Sequence, residues 1–217
     1  MKREEDLEVT ARPVPLPLVE LDGVPPTVDR TGQTPVSVEP AVDDGVYVRA
    51  ARDGDVAAFG MLVRLHQRRA YGIARAIVLA HEDAEDAVQE GFLHAFRAMA
   101  RFDAAYPFGA WLARIVTNAA LDLVRRRRVR TTQEIPATIA LPFSDPAERS
   151  ELRTRLDEAL AELPARQRAV LVLHDVEGYR HAEIGGMLGM PEGTARSDLH
   201  HARAAMRRAL DDLRSTR

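Results

Sequence analysis

The chain contains no cysteine in its 217 residues, so disulfides, thiolate metal sites and cysteine nucleophiles are excluded. Aromatic residues are scarce as well, at 5%, whereas apolar residues make up 46%. Any core must therefore be built mainly from Leu, Val, Ile and Ala. Together with 29% charged residues, this composition favours helices.

No apolar run approaches the ~20 residues that span a bilayer, and acids stand near the N-terminus where a signal peptide has its apolar stretch. We therefore expect a cytoplasmic protein with no membrane insertion. No Ser/His/Asp set, phosphate-binding glycine loop or His-rich metal motif is evident. The adjacent His200 and His201 would point about 100° apart on a helix, which chelates a metal poorly. We expect no catalytic residue, cofactor or metal, and hence a binding protein that is not an enzyme.

Lysine is almost absent, since Lys2 is the only one, and arginine supplies nearly all the positive charge. The net charge of −3 hides an asymmetry along the chain. Residues 1–46 carry four basic and ten acidic side chains, a net of −6, which leaves +3 on the rest. The acidic total is therefore compatible with nucleic-acid binding by the part of the chain that follows residue 46.

Prolines mark two segments without helical periodicity. Seven of the 13 prolines fall in residues 1–45, and we predict that residues 1–46 form a disordered acidic tail. Such a tail either shields basic DNA-binding surfaces or is an uninvolved solvated extension. Residues 129–146 contain three more prolines and no helical stripe, which predicts a flexible linker.

Between the tail and the linker, apolar residues recur at helical spacing in three segments. We predict helices over about 53–79, 82–101 and 107–128, closing one core in a domain of residues 47–128. Pro107 suits the first turn of the third helix. On the second helix the expected inner stripe includes Val88, Phe92 and Phe96.

The third predicted helix combines an aromatic, an amide and a cluster of cations. Trp111, Asn118 and Asp122 follow one another on one face, and Arg125 to Arg128 end the helix. Cations complement a helix C-terminus, but four in a row exceed that need and favour phosphate contact. Trp111 fits core packing or direct DNA contact. The Asn118 amide could read a base edge or line a pocket for an unstacked base.

The second predicted helix has a different surface, made of acids and amides. Asp83, Glu85, Asp86, Gln89 and Glu90 are expected to be exposed on it. Such a face repels DNA and suits a basic protein partner, or is simply a solvated acidic face.

After the linker, residues 147–217 predict a four-helix domain that contains a helix-turn-helix. Ile184 and Leu188 face inward on a short helix of residues 181–188, Gly189 ends it, and Pro191 begins the next. An ordinary helical hairpin would show the same spacing. The expected outward residues of the last helix are polar and suit base edges and phosphates. They are Thr194, Arg196, Ser197, Asp198, His200, His201 and Arg203.

Four phrases, taken together, resemble the sigma-70 family of bacterial RNA polymerase specificity subunits, in its small extracytoplasmic-function (ECF) type. They are DAEDAVQEGFLHAF, FGAWLARIVTNAALDLVRRR, LPARQRAVLVLHDVEGY and GMPEGTARSDLHHARAAMRR. The resemblance covers about residues 50–128 and 147–213. It implies an all-α fold of two small helical domains, a sigma region 2-like one and a sigma region 4-like one, joined by the linker.

The resemblance also implies roles, partners and residues. Core RNA polymerase would dock on the acidic helix, promoter DNA would be read both as melted single strand and as duplex, and an anti-sigma factor would hold the protein inactive. The implied polymerase contacts are Asp86, Gln89, Glu90 and Phe92. Those to the melted minus-ten element are Trp111, Asn118, Asp122, Arg125 and Arg126. Those to the minus-thirty-five element are Thr194, Arg196, Ser197, His200, His201 and Arg203.

The chain departs from the family pattern in the recognition helix, where Asp198 and His201 stand at positions that are usually basic. An acid facing phosphates weakens binding, so we expect a weak or unusual preference for the upstream element. Gly185 and Gly186 stand inside a predicted helix, where each costs up to ~1 kcal/mol relative to alanine. A conventional helix-turn-helix regulator that binds duplex DNA without polymerase remains the alternative function.

Overall fold

The structure is a computed structural model that describes residues 44–133 and 151–215, with side chains for 44–129 and 156–209. Within these ranges the chain forms eight α-helices and no strand, which confirms the predicted all-α class. The predicted acidic tail up to residue 43 and residues 134–150, which include most of the predicted linker, lie outside the described residues.

Four helices precede the gap and form the first module. They are α1 (Gly45–Arg52), α2 (Val56–Val78), α3 (His81–Ala98), which continues into a 3₁₀ turn (Met99–Arg101), and α4 (Phe108–Gln133). Helix α1 was not predicted, and it begins inside the segment expected to be tail. Helix α4 runs five residues past its predicted end at 128, so the first residues of the expected linker are helical.

Both ends of α2 have a local physical cause. At the start, one carboxylate oxygen of Asp55 accepts hydrogen bonds from the main-chain N–H groups of Ala57 (2.8 Å) and Ala58 (3.1 Å). At the end, Leu79 adopts a left-handed conformation with φ 67°. A non-glycine residue rarely takes this conformation. It turns the chain directly into α3.

The core of the first module lies between α2, α3 and α4. Leu62, Ile73 and Val116 are fully buried there. Helices α3 and α4 cross closely because α3 has a glycine at the crossing, since a Cβ on Gly91 would lie 2.8 Å from Cγ2 of Val116. Phe96 was predicted to face inward, but it is 45% exposed and meets the buried Phe59 only edge-on.

Four helices after the gap form the second module. They are α5 (Glu151–Ala161), α6 (Ala165–Leu171), which continues into a π-helical turn (Val172–Val176), α7 (His181–Leu188) and α8 (Glu192–Ser215). The predicted bounds of α7 are confirmed. Its core contains Val170, Leu173, Ile184 and Leu199, so the second and third helices pack on the last one as a helix-turn-helix requires.

The turn between α7 and α8 depends on two glycines. Gly189 adopts φ 64°, and the N–H of Met190 donates to the carbonyl of Gly185 at 2.9 Å. A Cβ on Gly185 would lie 2.7 Å from the Met190 carbonyl oxygen, whereas a Cβ on Gly186 would meet nothing within 4 Å. The expectation that both helical glycines are a cost is therefore wrong for Gly185, which permits the turn.

The two modules pack against each other, mainly through α6 against α2. Ala169 and Val172 belong to the same buried cluster as Ile77. Between them lies Arg168, which is only 7% exposed. Its guanidinium donates to the carbonyl oxygens of Ile77 (2.8 Å), Leu160 (3.2 Å) and Leu163 (2.6 Å). Burial lowers the pKa of Arg168 to about 10, so the group still carries its charge at neutral pH.

We expect Gly185→Ala to lower the free energy of unfolding by about 1–3 kcal/mol, because the new methyl group presses on a main-chain oxygen. Gly186→Ala is the matched control and should raise it by about 0.5–1 kcal/mol, since alanine favours the helix. Urea titration followed by circular dichroism measures both changes. Equal effects of the two substitutions would contradict the close approach at Gly185.

Candidate nucleic-acid interface

Trp111 lies on the first turn of α4 and packs within an aromatic cluster. Its ring centroid lies 4.6 Å from that of Phe102 and 5.7 Å from that of Phe108. Phe108 is fully buried, while Trp111 is only half-buried. The geometry favours the core-packing interpretation of Trp111, but one side of its ring remains open to a partner.

Asn118 lies two turns further along the same helix and is engaged across the module boundary. Its side-chain nitrogen donates to the carbonyl oxygen of Met187, on α7, at 3.3 Å. The side chain is half-buried there. The amide predicted to read a base is therefore held by the backbone of the second module in this arrangement.

The arginines at the end of the predicted helix are held by acids on α3 and α4. Arg125 donates to Asp122 at 2.6 Å, and Arg126 donates to Glu90 at 2.7 Å. Arg127 forms an ion pair with the buried Asp83. The hydrogen bond to Glu90 raises the pKa of Arg126. These pairs aim the guanidinium groups at fixed places along the α3–α4 edge.

The α3 surface differs from the prediction in its apolar members. Asp86 and Gln89 are exposed as expected, and Glu90 is engaged by Arg126. Phe92 is a correction: it is 8% exposed and part of the core, so its ring is not available to a partner. Leu93 is 46% exposed and stands beside it on the outer face, where it extends the surface of Asp86 and Gln89.

On α8 the structure exposes most of the predicted recognition residues. Arg196, Ser197, His200, His201 and Arg203 are exposed and Thr194 is half-buried. The side chain of Arg196 is steadied by Glu192 at 2.6 Å, one turn earlier. The described residues contain no group of three potential metal ligands, so the histidines here form no metal cluster.

Asp198 is the second correction. It was expected to face phosphates, but it is 5% exposed and accepts two hydrogen bonds from Arg166 on α6, at 2.7 and 3.3 Å. The physical reason is helical spacing, because position 198 lies three residues after Ala195 and four before Ala202, both fully buried. The acid therefore joins α8 to α6 and does not oppose DNA.

Arg203 is positioned by the turn that follows α6. Its guanidinium donates to both carboxylate oxygens of Asp175, with Nε 3.0 Å from Oδ2. His174 also contacts Asp175, at 2.8 Å. Burial alone would raise the pKa of Asp175, but the hydrogen bonds from Arg203 and His174 outweigh it and hold that pKa below its ordinary value.

The comparisons with known proteins match both modules. The family model described as "Sigma-70 region 2" matches residues 62–130, and the one described as "Sigma-70, region 4" matches residues 153–206. The "ECF RNA polymerase sigma factor SigM" of Mycobacterium tuberculosis (strain ATCC 25618 / H37Rv) is 38% identical over 169 residues, which cover 77% of this chain and 84% of that protein. The chain belongs to the ECF family of sigma-70 factors.

Similar proteins extend across bacteria and include solved structures. The "ECF RNA polymerase sigma factor SigW" of Bacillus subtilis is 29% identical and matches 76% of this sigma factor and 96% of its own length. The structure titled "Structure of CnrH in complex with the cytosolic domain of CnrY" is 29% identical over 78% of this chain and 97% of that one, with a TM-score of 0.57. A second complex, of the sigma factor RpoE with the anti-sigma factor NepR from Bartonella quintana, is 24% identical over 72% of this chain and 98% of that one. Its TM-score of 0.63 shows a shared fold.

Family membership establishes the coarse function of this sigma factor, which is to direct transcription by RNA polymerase as an alternative specificity subunit. Sigma factors are in general not enzymes. Among the described residues no helix is both long and apolar enough to cross a membrane.

The Asp175–Arg203 contact predicts a pH dependence. Because the folded pKa of Asp175 is lowered, its contribution to stability is present above the ordinary aspartate pKa of about 3.9 and is lost as the pH falls through the lower folded value. Asp175→Asn should therefore reduce the free energy of unfolding at neutral pH and leave a smaller acid-induced loss below pH ~4.

Urea titrations at several pH values measure this difference. The exposed Asp53→Asn is the control for the removal of one negative charge. An Asp175→Asn protein whose stability stays parallel to that of the wild type through the acid range would show that the contact contributes nothing.

Proposed function

We propose that this sigma factor binds core RNA polymerase with α3, captures the melted minus-ten element with α4, and reads the minus-thirty-five element as duplex with α8. The observation that carries the proposal is the pairing of two different polar faces on one chain. One face carries an amide and a cluster of fixed arginines, and the other is a recognition helix in a helix-turn-helix.

The α8 face suits the major groove. Arg196, Ser197 and His200 are exposed on adjoining turns near the N-terminal end of the helix, the end that contacts base edges in helix-turn-helix proteins. His201 and Arg203 lie on the flank, where phosphate contacts occur. Because Asp198 is buried, no acid at that position repels the DNA backbone.

The α4 face suits a single strand. Asn118 offers both a donor and an acceptor to the edge of an unstacked base, and the half-exposed ring of Trp111 offers a stacking surface. Arg125 and Arg126 lie one to two turns beyond Asn118, within reach of the backbone phosphates of the same strand. Asp122 holds Arg125 in place. Capturing a flipped base offsets the few kcal/mol, roughly, of unstacking.

The α3 face suits a protein partner. Asp86, Gln89, Leu93 and Phe96 follow at spacings of three, four and three residues, so they share one face of the helix, and all four are exposed. An apolar patch continued by acids is typical of a protein interface with a basic rim on the other side. Leu93 and Phe96 here take the place that the sequence assigned to Phe92.

An anti-sigma partner is also part of the proposal. Both solved relatives named above were determined as complexes, CnrH with the cytosolic domain of CnrY and RpoE with NepR. The shared fold supports a regulator of the same kind for this chain.

The experiment that tests the proposed function is in vitro transcription from a genomic promoter library, using core RNA polymerase with and without the sigma factor. Discrete new start sites that require both components are expected, and their aligned upstream sequences identify the two elements. Specific retention of duplex fragments by the protein alone, without new start sites, would instead establish a conventional helix-turn-helix regulator.

The α3 face gives a sharper prediction. Leu93→Ser with Phe96→Ser should weaken binding to core polymerase by about 2–4 kcal/mol, because both apolar side chains leave the interface. Val46→Ser is the control, since Val46 is 60% exposed on α1, away from this face. Surface plasmon resonance on immobilised core polymerase measures both. Unchanged affinity of the double variant would remove α3 from the docking surface.

A further inference from the structure

The second module covers the base-reading face of α4. Met187 and Leu188, at the end of α7, pack on the core cluster of the first module. At the same place the Met187 carbonyl accepts the hydrogen bond from Asn118. A base cannot take the Asn118 amide while α7 lies there, because the donor is already used and the approach is filled.

One pair of contacts that holds the modules together is centred on Arg69 of α2. Arg69 forms an ion pair with Glu177 and donates to the hydroxyl of Tyr179 at 3.2 Å. Burial would lower the pKa of Arg69, but the negative charge of Glu177 and the Tyr179 oxygen outweigh it and raise that pKa. Burial also raises the pKa of Tyr179, so its hydroxyl stays protonated.

Two further contacts cross between the same helices. Arg75, nearly two turns after Arg69 on α2, donates to Asp157 of α5 at 3.2 Å. Arg168 donates from α6 to the carbonyl of Ile77 near the end of α2 at 2.8 Å. Three arginines therefore cross the boundary between the modules along one side of α2.

These contacts are directional and polar, which distinguishes the boundary from a closed core. Exposed faces on both modules offer water as an alternative partner for each of the charged groups once they separate. Polar boundaries within one chain commonly open and close. The recognition face of α8 is exposed in the same arrangement, so closure hides one DNA-binding face and leaves the other open.

We propose that the packed arrangement is an autoinhibited state in which the second module acts as a cover over the single-strand site of α4. The Arg69–Glu177–Tyr179 contact is the latch of that cover. The inference rests on the proposed function, because it assigns Asn118 to the melted strand. It adds that the free chain withholds this site until the latch opens.

The absence of native cysteine allows a direct test. Arg69→Cys with Glu177→Cys removes the ion pair without changing the net charge, and a cleavable bismaleimide then joins the two positions and locks the modules together. The probe is a fluorescein-labelled pool of short random-sequence single-stranded oligonucleotides, followed by anisotropy. The same double variant is measured before crosslinking, after crosslinking, and after reductive cleavage of the link.

The matched control is Arg68→Cys with Glu85→Cys, which line one groove between α2 and α3 within the first module. This pair also removes one cation and one anion, and its crosslink joins no residue of the second module. Any effect of the reagent, of the maleimide adducts or of generic rigidity appears in this control as well.

The Kd of the locked protein for the oligonucleotide pool should be at least about tenfold higher than that of the unlocked variant, since the apparent affinity scales with the open fraction. Cleavage should restore the lower Kd, and the unlocked variant should bind more tightly than the wild type. Equal binding by the locked and unlocked forms would overturn the inference, as would an unlocked variant that binds the pool no better than the wild type.

The outcome for the proposed function is read separately, by promoter-dependent transcription with the unlocked variant and core polymerase. Transcription together with equal binding in the locked and unlocked forms would reject only the cover. Loss of transcription by the wild type itself would reject the proposed function, whatever the oligonucleotide binding shows.

Discussion

The guanidinium of Arg168 is the constraint on which the arrangement of both modules depends. It is buried without a carboxylate among its hydrogen-bond partners, and it donates to main-chain oxygens near the ends of α2 and α5 and in the turn before α6. The last carbonyls of a helix have no partner within it and carry partial negative charge. A planar cation with several donors supplies what two helix ends lack at once, which offsets the cost of its burial. Lysine, a single point charge, could not reach all three oxygens in the same way.

The same economy explains the arginines elsewhere in the chain. Sequence alone assigns positive charge to DNA, but the structure uses much of it internally: Arg69 meets Glu177, Arg126 meets Glu90, and Arg166 meets Asp198. These pairs set the angle between helices or fix the direction of a side chain. Affinity for nucleic acid then depends less on the number of cations than on which of them the acids leave directed outward. A protein with net charge −3 can bind DNA on this basis.

Local patterns predicted most of the helices and fewer of the contacts. The exact bounds of α7 followed from periodicity and from Gly189, because helix ends are set by residues within one turn. Helix α1 was missed, since eight residues without a strong cap leave little signal. Asp198 was misplaced because its polarity was weighed above its spacing. The contacts between modules join residues about a hundred positions apart, such as Arg69 and Glu177, and no local pattern encodes which charges meet after the chain folds back.

The burial of Asp198 changes how the recognition helix must work. An exposed acid there would have opposed the DNA backbone and explained a weak upstream preference. Because Arg166 takes that acid inward, the exposed surface of α8 keeps Arg196, Ser197 and the two histidines. A histidine with an ordinary pKa of about 6.5 is mostly neutral at pH 7 and offers one donor and one acceptor. Such a surface reads base edges more than it attracts phosphates. The binding energy for promoter DNA must then come largely from the arginines of α4 and from polymerase itself, which makes access to the α4 face the step that controls the whole assembly.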